Sequence, residues 1–167
     1  VGVCGSIAAY KWAFLVRLLV KAGANVKVIL TPDGANFITP LTLATLSKNP
    51  VYTQYFEEET GVWSNHVELG LWSDFIIIAP ISANTLAKLA TGICDNLLTA
   101  AYLSAKCPVY VAPAMDLDMW KHESTQNNIN QISTYGNIVI SPGSGELASG
   151  LHGEGRMAEP EEIVAFL

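Results

Sequence analysis

The sequence predicts a three-layer α/β domain built on a mainly parallel sheet. Three observations carry that prediction. Short apolar runs recur along the chain, most clearly F-I-I-I-A at Phe75 to Ala79, and continuous apolar runs suit strands buried on both faces. Stretches with helical spacing alternate with those runs, as in βαβ units. Small hydroxyl and amide residues follow several of the runs, at the sheet edge where open α/β sheets bind ligands.

Val1 to Val3 read as a first strand already under way, Gly5 and Ser6 as the turn after it, and Ala8 to Ala22 as a helix. Trp12, Leu15, Leu18 and Leu19 give that helix an apolar stripe, and Gly23 is positioned to end it. The G-S-I-A-A-Y-K turn lacks the full G-x-G-x-x-G fingerprint. A nicotinamide dinucleotide is therefore disfavoured, while a mononucleotide phosphate stays open. Asn25 to Leu30 read as the second strand, and Thr31 after it as a helix cap or a ligand contact. Pro40 to Ser47 read as a helix that Asn49 and Pro50 end. Val51 to Phe56 fit a short strand or an extended connection, and Glu57 to Glu59 a solvated charge run. His66, in W-S-N-H-V-E-L-G, falls on a polar loop or on the first turn of a short helix.

Phe75 to Ala79 form the third core strand, which Pro80 is expected to end because it has no N–H to give. Ser82, Asn84 and Thr85 come next, ahead of a helical pattern starting near Leu86. Free backbone N–H groups and the helix dipole favour an anion there, and Ser82 or Asn84 also fits a plain N-cap. Leu97 to Ser104 continue as a helix whose Ala100 and Ala101 permit close helix contact, including across a subunit boundary. Val109 to Ala112 form the next strand, followed by P-A-M-D-L-D-M-W. Thr125 to Tyr135 read as a helix and Asn137 to Ile140 as a fifth strand. Ser141 to Arg156 hold five glycines and read as a mobile flap, and Pro160 opens a last helix.

At 167 residues the chain suits one domain with a full core. It is 50% hydrophobic and only 14% charged, which predicts further surface buried in an oligomer. A net charge of −6 without a basic cluster argues against nucleic acid as the main partner. No apolar run reaches the roughly 18 residues of a membrane span, and the start shows no charged leader. Cys4, Cys94 and Cys107 are scattered, which fits a reducing cytoplasm, offers no metal spacing and makes each a small core residue. His66, His122 and His152 show no zinc-ligand arrangement either.

In their order along the chain, G-S-I-A-A-Y-K, the histidine of N-H-V, P-I-S-A-N-T, G-I-C-D-N-L, P-A-M-D-x-x-M-W and G-x-G-R-M form a joint pattern. It resembles the homo-oligomeric flavin-containing cysteine decarboxylases, among them the phosphopantothenoylcysteine decarboxylases of coenzyme A synthesis. The resemblance implies a Rossmann-like, flavodoxin-like fold and FMN as cofactor. It also implies a cytoplasmic homotrimer able to assemble into a dodecamer. Residues 1–167 would form a single FMN-binding domain, the N-terminal half of a longer chain that continues into a phosphopantothenate–cysteine ligase. The implied reaction converts 4′-phospho-N-pantothenoylcysteine to 4′-phosphopantetheine. The CH₂–SH group is first oxidised to a thioaldehyde, CO₂ leaves, and the electrons are then returned. Related alternatives are an oxidative peptidyl-cysteine decarboxylase that stops at the enethiol, and a non-catalytic flavin-binding regulatory protein. Flavin prenyltransferase shares the fold but differs in its motifs.

Residue by residue, the resemblance matches Gly5, Ser6 and Ile7 to the first flavin-binding turn, Thr31 to the second, and Phe37 to a flavin contact beyond it. Ser82, Ala83, Asn84 and Thr85 match the turn holding the FMN phosphate and ribityl groups, and Ala114 sits near the isoalloxazine. His66 matches an active-site histidine that works on flavin bound mainly by a neighbouring subunit. Ala148, Arg156 and Met157 belong to the flap over the substrate. Two positions depart from the family's usual residues. Asp116 replaces an asparagine that holds the substrate carboxylate, so it is expected to orient the substrate through an amide N–H or to disfavour the bound carboxylate. Ser149 replaces the cysteine that donates the final proton, and a hydroxyl is a far poorer acid than a thiol.

Overall fold

In the computed structural model, which describes residues 1–56 and 59–167, strands and helices alternate along the chain. The elements are β1 (Gly2–Val3), a 3₁₀ turn at Ile7–Lys11, α1 (Trp12–Lys21), β2 (Val28–Leu30), a 3₁₀ turn at Gly34–Asn36, α2 (Pro40–Ser47), β3 (Val51–Tyr52) and α3 (His66–Trp72). They continue with β4 (Ile76–Ile81), α4 (Ala83–Thr91), α5 (Leu97–Ser104), β5 (Val109–Pro113), α6 (Leu117–Lys121), α7 (Glu123–Thr134), β6 (Ile138–Val139), β7 (Gly143–Glu146), β8 (His152–Arg156) and α8 (Pro160–Phe166).

Six strands form one parallel sheet in the order β3-β2-β1-β4-β5-β6. This is the doubly wound order, and its direction reverses between β1 and β4, where Gly2 lies opposite Ile78. Alternation along each strand sends its side chains into two cores. Val28, Leu30, Ile77 and Ala112 face one core with Trp12, Leu15, Val16 and Leu19 of α1, Leu43 of α2 and Ile163 of α8. Ile29, Ile76, Ile78, Val109 and Val111 face the other with Leu69, Leu86, Leu89, Leu97, Leu98 and Ile132 from α3, α4, α5 and α7. Each large side chain so buried contributes about 2 kcal/mol. The four on α1 alone therefore hold the turn ahead of that helix firmly against the sheet.

Several sequence expectations are corrected. The first helix enters through a 3₁₀ turn before becoming α-helical at Trp12. Pro80 does not end the central strand: β4 runs through it to Ile81 with a register shift, and the Pro80 carbonyl accepts the Cys4 N–H at 3.3 Å. The following helix starts at Ala83 rather than near Leu86, because Ser82 caps it. The helix α2 spans Pro40–Ser47 as expected, but its C-cap is Lys48 in the left-handed conformation, ahead of Asn49 and Pro50. Five-residue α6 was not foreseen, and α7 begins at Glu123. Ile138–Val139 is the sixth strand of the sheet, since Val51–Tyr52 takes a place at its other edge. The glycine-rich stretch, expected to be a flap, is built as an antiparallel hairpin, β7–β8. Ala100 and Ala101 are buried within the chain itself, and Cys94 is exposed. Of the Glu57 to Glu59 charge run, the first two residues lie outside the described residues, and Glu59 is exposed.

Candidate functional site

The carboxyl ends of β1, β2 and β4 meet at the reversal of strand order, and a small polar cavity of about 100 Å³ opens there. Gly5, Thr31, Ser82, Asn84 and Thr85 line it, with Asp33, Lys88 and Asp95 also at its wall. The Ser82 hydroxyl caps α4 by accepting the Thr85 N–H at 3.3 Å. The N–H groups of Ala83 and Asn84, the first two of the helix, have no acceptor within it. They and the helix dipole favour an anion at this end. Lys88, one turn further on, donates to Asp95 at 2.6 Å. That bond holds the Asp95 carboxyl below the usual carboxylate range and occupies the lysine charge. Anion affinity here therefore rests on backbone N–H groups and hydroxyls rather than on a free cation.

Room for a ligand depends on Gly5. A Cβ on it would come within 2.6 Å of the Asp33 Cβ, closing the gap between the turns after β1 and β2. Thr31 is buried, and its hydroxyl accepts the Gly34 N–H at 3.1 Å, so it shapes the second turn as well as lining the cavity.

On the other side of the Gly5–Ile7 turn lies a larger, mainly apolar slot of about 390 Å³. Ser6 and Ile7 form one wall, Ala114 and Met115 the floor, and the hairpin residues Ala148, Ser149, Arg156 and Met157 the far side. The Ser6 hydroxyl caps the 3₁₀ turn through the Ala8 N–H. Asp116 reaches the slot while capping α6, where its Oδ1 accepts the Leu117 N–H at 2.6 Å. Its Oδ2 has no hydrogen-bond partner among the described residues. At the hairpin tip, the Ser149 hydroxyl accepts the Leu151 N–H at 3.4 Å.

Two ties fix the hairpin to the floor. The Gly155 carbonyl accepts the Met115 N–H at 3.0 Å. Gly155 has φ +133°, and a Cβ on it would run into the Met115 carbonyl oxygen. Buried Lys11 donates to the Met157 carbonyl at 2.7 Å and to Glu159 at 2.9 Å. Glu159 also pairs with Arg156 at 3.1 Å, so part of the arginine charge is already engaged. The Lys11 hydrogen bond holds the Glu159 carboxyl below its ordinary value. Lys11 and Gly155 were not singled out in the sequence. A lysine four residues into an apolar turn carried the first signal.

The two cavities thus gather Gly5, Ser6, Ile7, Thr31, Ser82, Asn84, Thr85, Ala114, Asp116, Ala148, Ser149, Arg156 and Met157 on either side of one turn. Ala83 lines neither but supplies the first N–H of α4. Phe37 is exposed and lines neither. His66 also lines neither. It opens α3 behind the Asn65 cap and sits against Tyr55 and Trp63. Among the described residues no group of acids, histidines and cysteines is arranged to hold a metal, and no helix is long and apolar enough to cross a membrane.

Fold and site together define a doubly wound α/β domain with a divided ligand site at its switch point: an anion-favouring pocket on one side of a tight turn, an apolar slot on the other. The chain belongs to the Flavoprotein family, whose model matches residues 1–167. It is 64% identical over 127 residues to a cysteine/cysteine sulfinic acid decarboxylase from an unknown prokaryotic organism, covering 76% of this chain and 35% of that protein. It is 45% identical over 162 residues to the coenzyme A biosynthesis bifunctional protein CoaBC of Bacillus subtilis (strain 168), covering 97% of this chain and 40% of that one. Among solved structures it matches a PPC decarboxylase mutant complexed with pantothenoylaminoethenethiol at TM-score 0.89 and 34% identity, covering 99% of this chain and 92% of the other. The chain therefore spans less than half the length of these curated relatives.

Proposed function

We propose that this domain binds FMN across the two cavities and decarboxylates 4′-phospho-N-pantothenoylcysteine to 4′-phosphopantetheine in coenzyme A biosynthesis. The observation that carries the reading is the divided site. A mononucleotide with a flat ring system needs an anion pocket and an apolar slot joined by a close-approach turn, and the Gly5–Ile7 turn joins such a pair. The α4 N–H groups with Ser82, Asn84 and Thr85 would hold the phosphate end. Thr31 and the Gly5–Ile7 turn would follow the sugar chain. Ala114 would lie against the ring and Phe37 at its outer edge. Bound FMN supplies a two-electron sink and source, which lets a cysteine carboxylate leave without a bare carbanion.

The chain's own residues then hold the substrate. The hairpin would close Ala148 and Met157 over it and exclude water, and Arg156 would meet its phosphate in exchange for part of the Glu159 pairing. Asp116 offers its free Oδ2 as an acceptor for an amide N–H. Ser149 would stand where the last proton is delivered.

His66 would reach the slot from a neighbouring subunit. Ile7, Tyr10 and Phe14, exposed at i, i+3 and i+7, make one apolar face beside the slot. Trp63, Val67 and Leu71 make a second face beside His66. Two unlike faces on one chain favour head-to-tail rings, here a trimer and its dodecamer. We further propose that a phosphopantothenate–cysteine ligase domain follows, and that the protein works in the cytoplasm.

A second reading has its own support. The 64% identical relative is named for cysteine substrates, and the Ser149 hydroxyl suits a reaction ending at an enethiol. Product mass separates the readings. Purified protein should be yellow, release FMN on denaturation, and convert phosphopantothenoylcysteine to a product lighter by CO₂ alone. A product two hydrogens lighter still, or turnover confined to free cysteine or a peptide cysteine, selects the second reading. A colourless protein that takes up no added FMN refutes both.

A further inference from the structure

His66 is held in an unusual way for a residue that must meet a ligand. Its ring packs against Tyr55 and Trp63, with centroids 6.1 Å and 6.0 Å away and planes at 90° and 74°, so both contacts are edge-to-face. Among the described residues Nδ1 is buried with no hydrogen-bond partner, whereas Nε2 is not a buried unpaired atom. A neutral imidazole carries one N–H and one lone pair. Among backbone groups, an orphaned buried N–H is somewhat rarer in folded proteins than an under-used acceptor, and the same preference extends to the ring. The proton is therefore best carried on Nε2, at the ring edge that reaches the surface.

The clamp is itself anchored. The Tyr55 hydroxyl donates to the Asn96 carbonyl at 2.9 Å, and the Tyr55 carbonyl accepts the Ser64 N–H at 2.7 Å. Asn96 caps α5 and lines the anion pocket. A continuous set of contacts thus runs from that pocket through Tyr55 to the histidine ring.

We propose that Tyr55 is a positioning residue that fixes His66 as an Nε2–H hydrogen-bond donor, turned outward to meet an anionic group such as a substrate carboxylate or thiolate. The inference rests on the proposed function only for the identity of that anion. Fixing a donor in place costs no reorganisation when the anion arrives, and donors preorganised in this way stabilise developing charge.

The test uses the FMN-loaded protein labelled with ¹⁵N in its histidines, with His66→Asn to assign the signal. In its neutral form, the His66 ring should show an unprotonated Nδ1 and a protonated Nε2. In Tyr55→Phe the ring edge stays and the tether goes. FMN content should hold, KM should stay within about twofold, and kcat should fall about threefold to tenfold, the loss of one hydrogen bond of ordinary net strength. In Tyr55→Leu the wall opens, and both ¹⁵N signals should move toward a mixture of tautomers. A protonated Nδ1 in the unaltered protein overturns the donor assignment. Unaltered kcat in Tyr55→Phe, or an unaltered His66 spectrum in Tyr55→Leu, overturns the positioning role. The spectrum decides the tautomer even if no tested substrate turns over, so failure of the functional reading remains distinguishable.

Discussion

The tightest constraint on the slot is Gly155, and Gly155→Ala tests it. Two costs combine there. An L-residue at φ +133° occupies a region left almost entirely to glycine, a strain of about 1–3 kcal/mol. The added Cβ also meets the Met115 carbonyl, which belongs to the backbone and cannot swing aside, so β8 must lift. Lifting it breaks the hydrogen bond from the Met115 N–H to the Gly155 carbonyl, worth about 1 kcal/mol. Together these give about 3 kcal/mol. For a chain of this size that corresponds to a fall in Tm of about 6–12 °C. Gly150 in the same hairpin is the internal control. It too has positive φ, +84°, but a Cβ there meets nothing within 4 Å. Gly150→Ala should therefore cost only about 1 kcal/mol, or about 2–4 °C. Differential scanning calorimetry of the FMN-loaded variants measures both, and hydrogen exchange of the Met115 amide reports whether the hairpin has lifted. Equal Tm losses in the two variants, or unchanged Met115 protection in Gly155→Ala, would refute the close-approach argument.

Further outcomes follow from the same geometry. Ser82→Ala removes the α4 cap and should cost about 1 kcal/mol in thermal unfolding, with FMN released at lower denaturant than in the unaltered protein. His66→Asn should retain FMN by absorbance and lower kcat by about a hundredfold or more; near-normal turnover would remove His66 from the mechanism. Glu159 gives a pH signature. Its folded value is depressed, first by the Lys11 hydrogen bond, so its contribution is complete above the ordinary 4.5 and is lost as pH falls through the lowered value. Stability measured against pH should decline there in the unaltered protein, and Glu159→Gln should lack that component of the decline.

The parts of the fold legible in the sequence are those whose burial leaves a pattern. The isoleucine run of β4 and the Trp12–Leu19 stripe of α1 announce themselves because each serves the core directly. Most of the rim residues were legible too, since small polar side chains just past a strand have few other uses. The hairpin was not. Its β7 and β8 are rich in glycine and largely exposed, so neither alternation nor propensity marks them as strands. Short α6 buries no residue, which leaves no apolar stripe to read. Pro80 misled because a missing N–H forbids a ladder bond from that residue but leaves its carbonyl free to accept one. The clamp on His66 joins Tyr55, Trp63 and the first residue of α3, a meeting set by how the intervening segment folds back, which spacing alone does not encode.

The β7–β8 ribbon shares no strand with the six-stranded sheet. Its root is bolted down at Met115 and Lys11, whereas among the described residues its tip around Ser149 makes only short-range hydrogen bonds of its own. Changes of length or sequence at that tip can therefore reshape the mouth of the slot while the proposed FMN cradle at the sheet rim keeps its shape. On the proposed function, one scaffold of this kind would be retuned to different substrates by exchanging a few residues at a single bend.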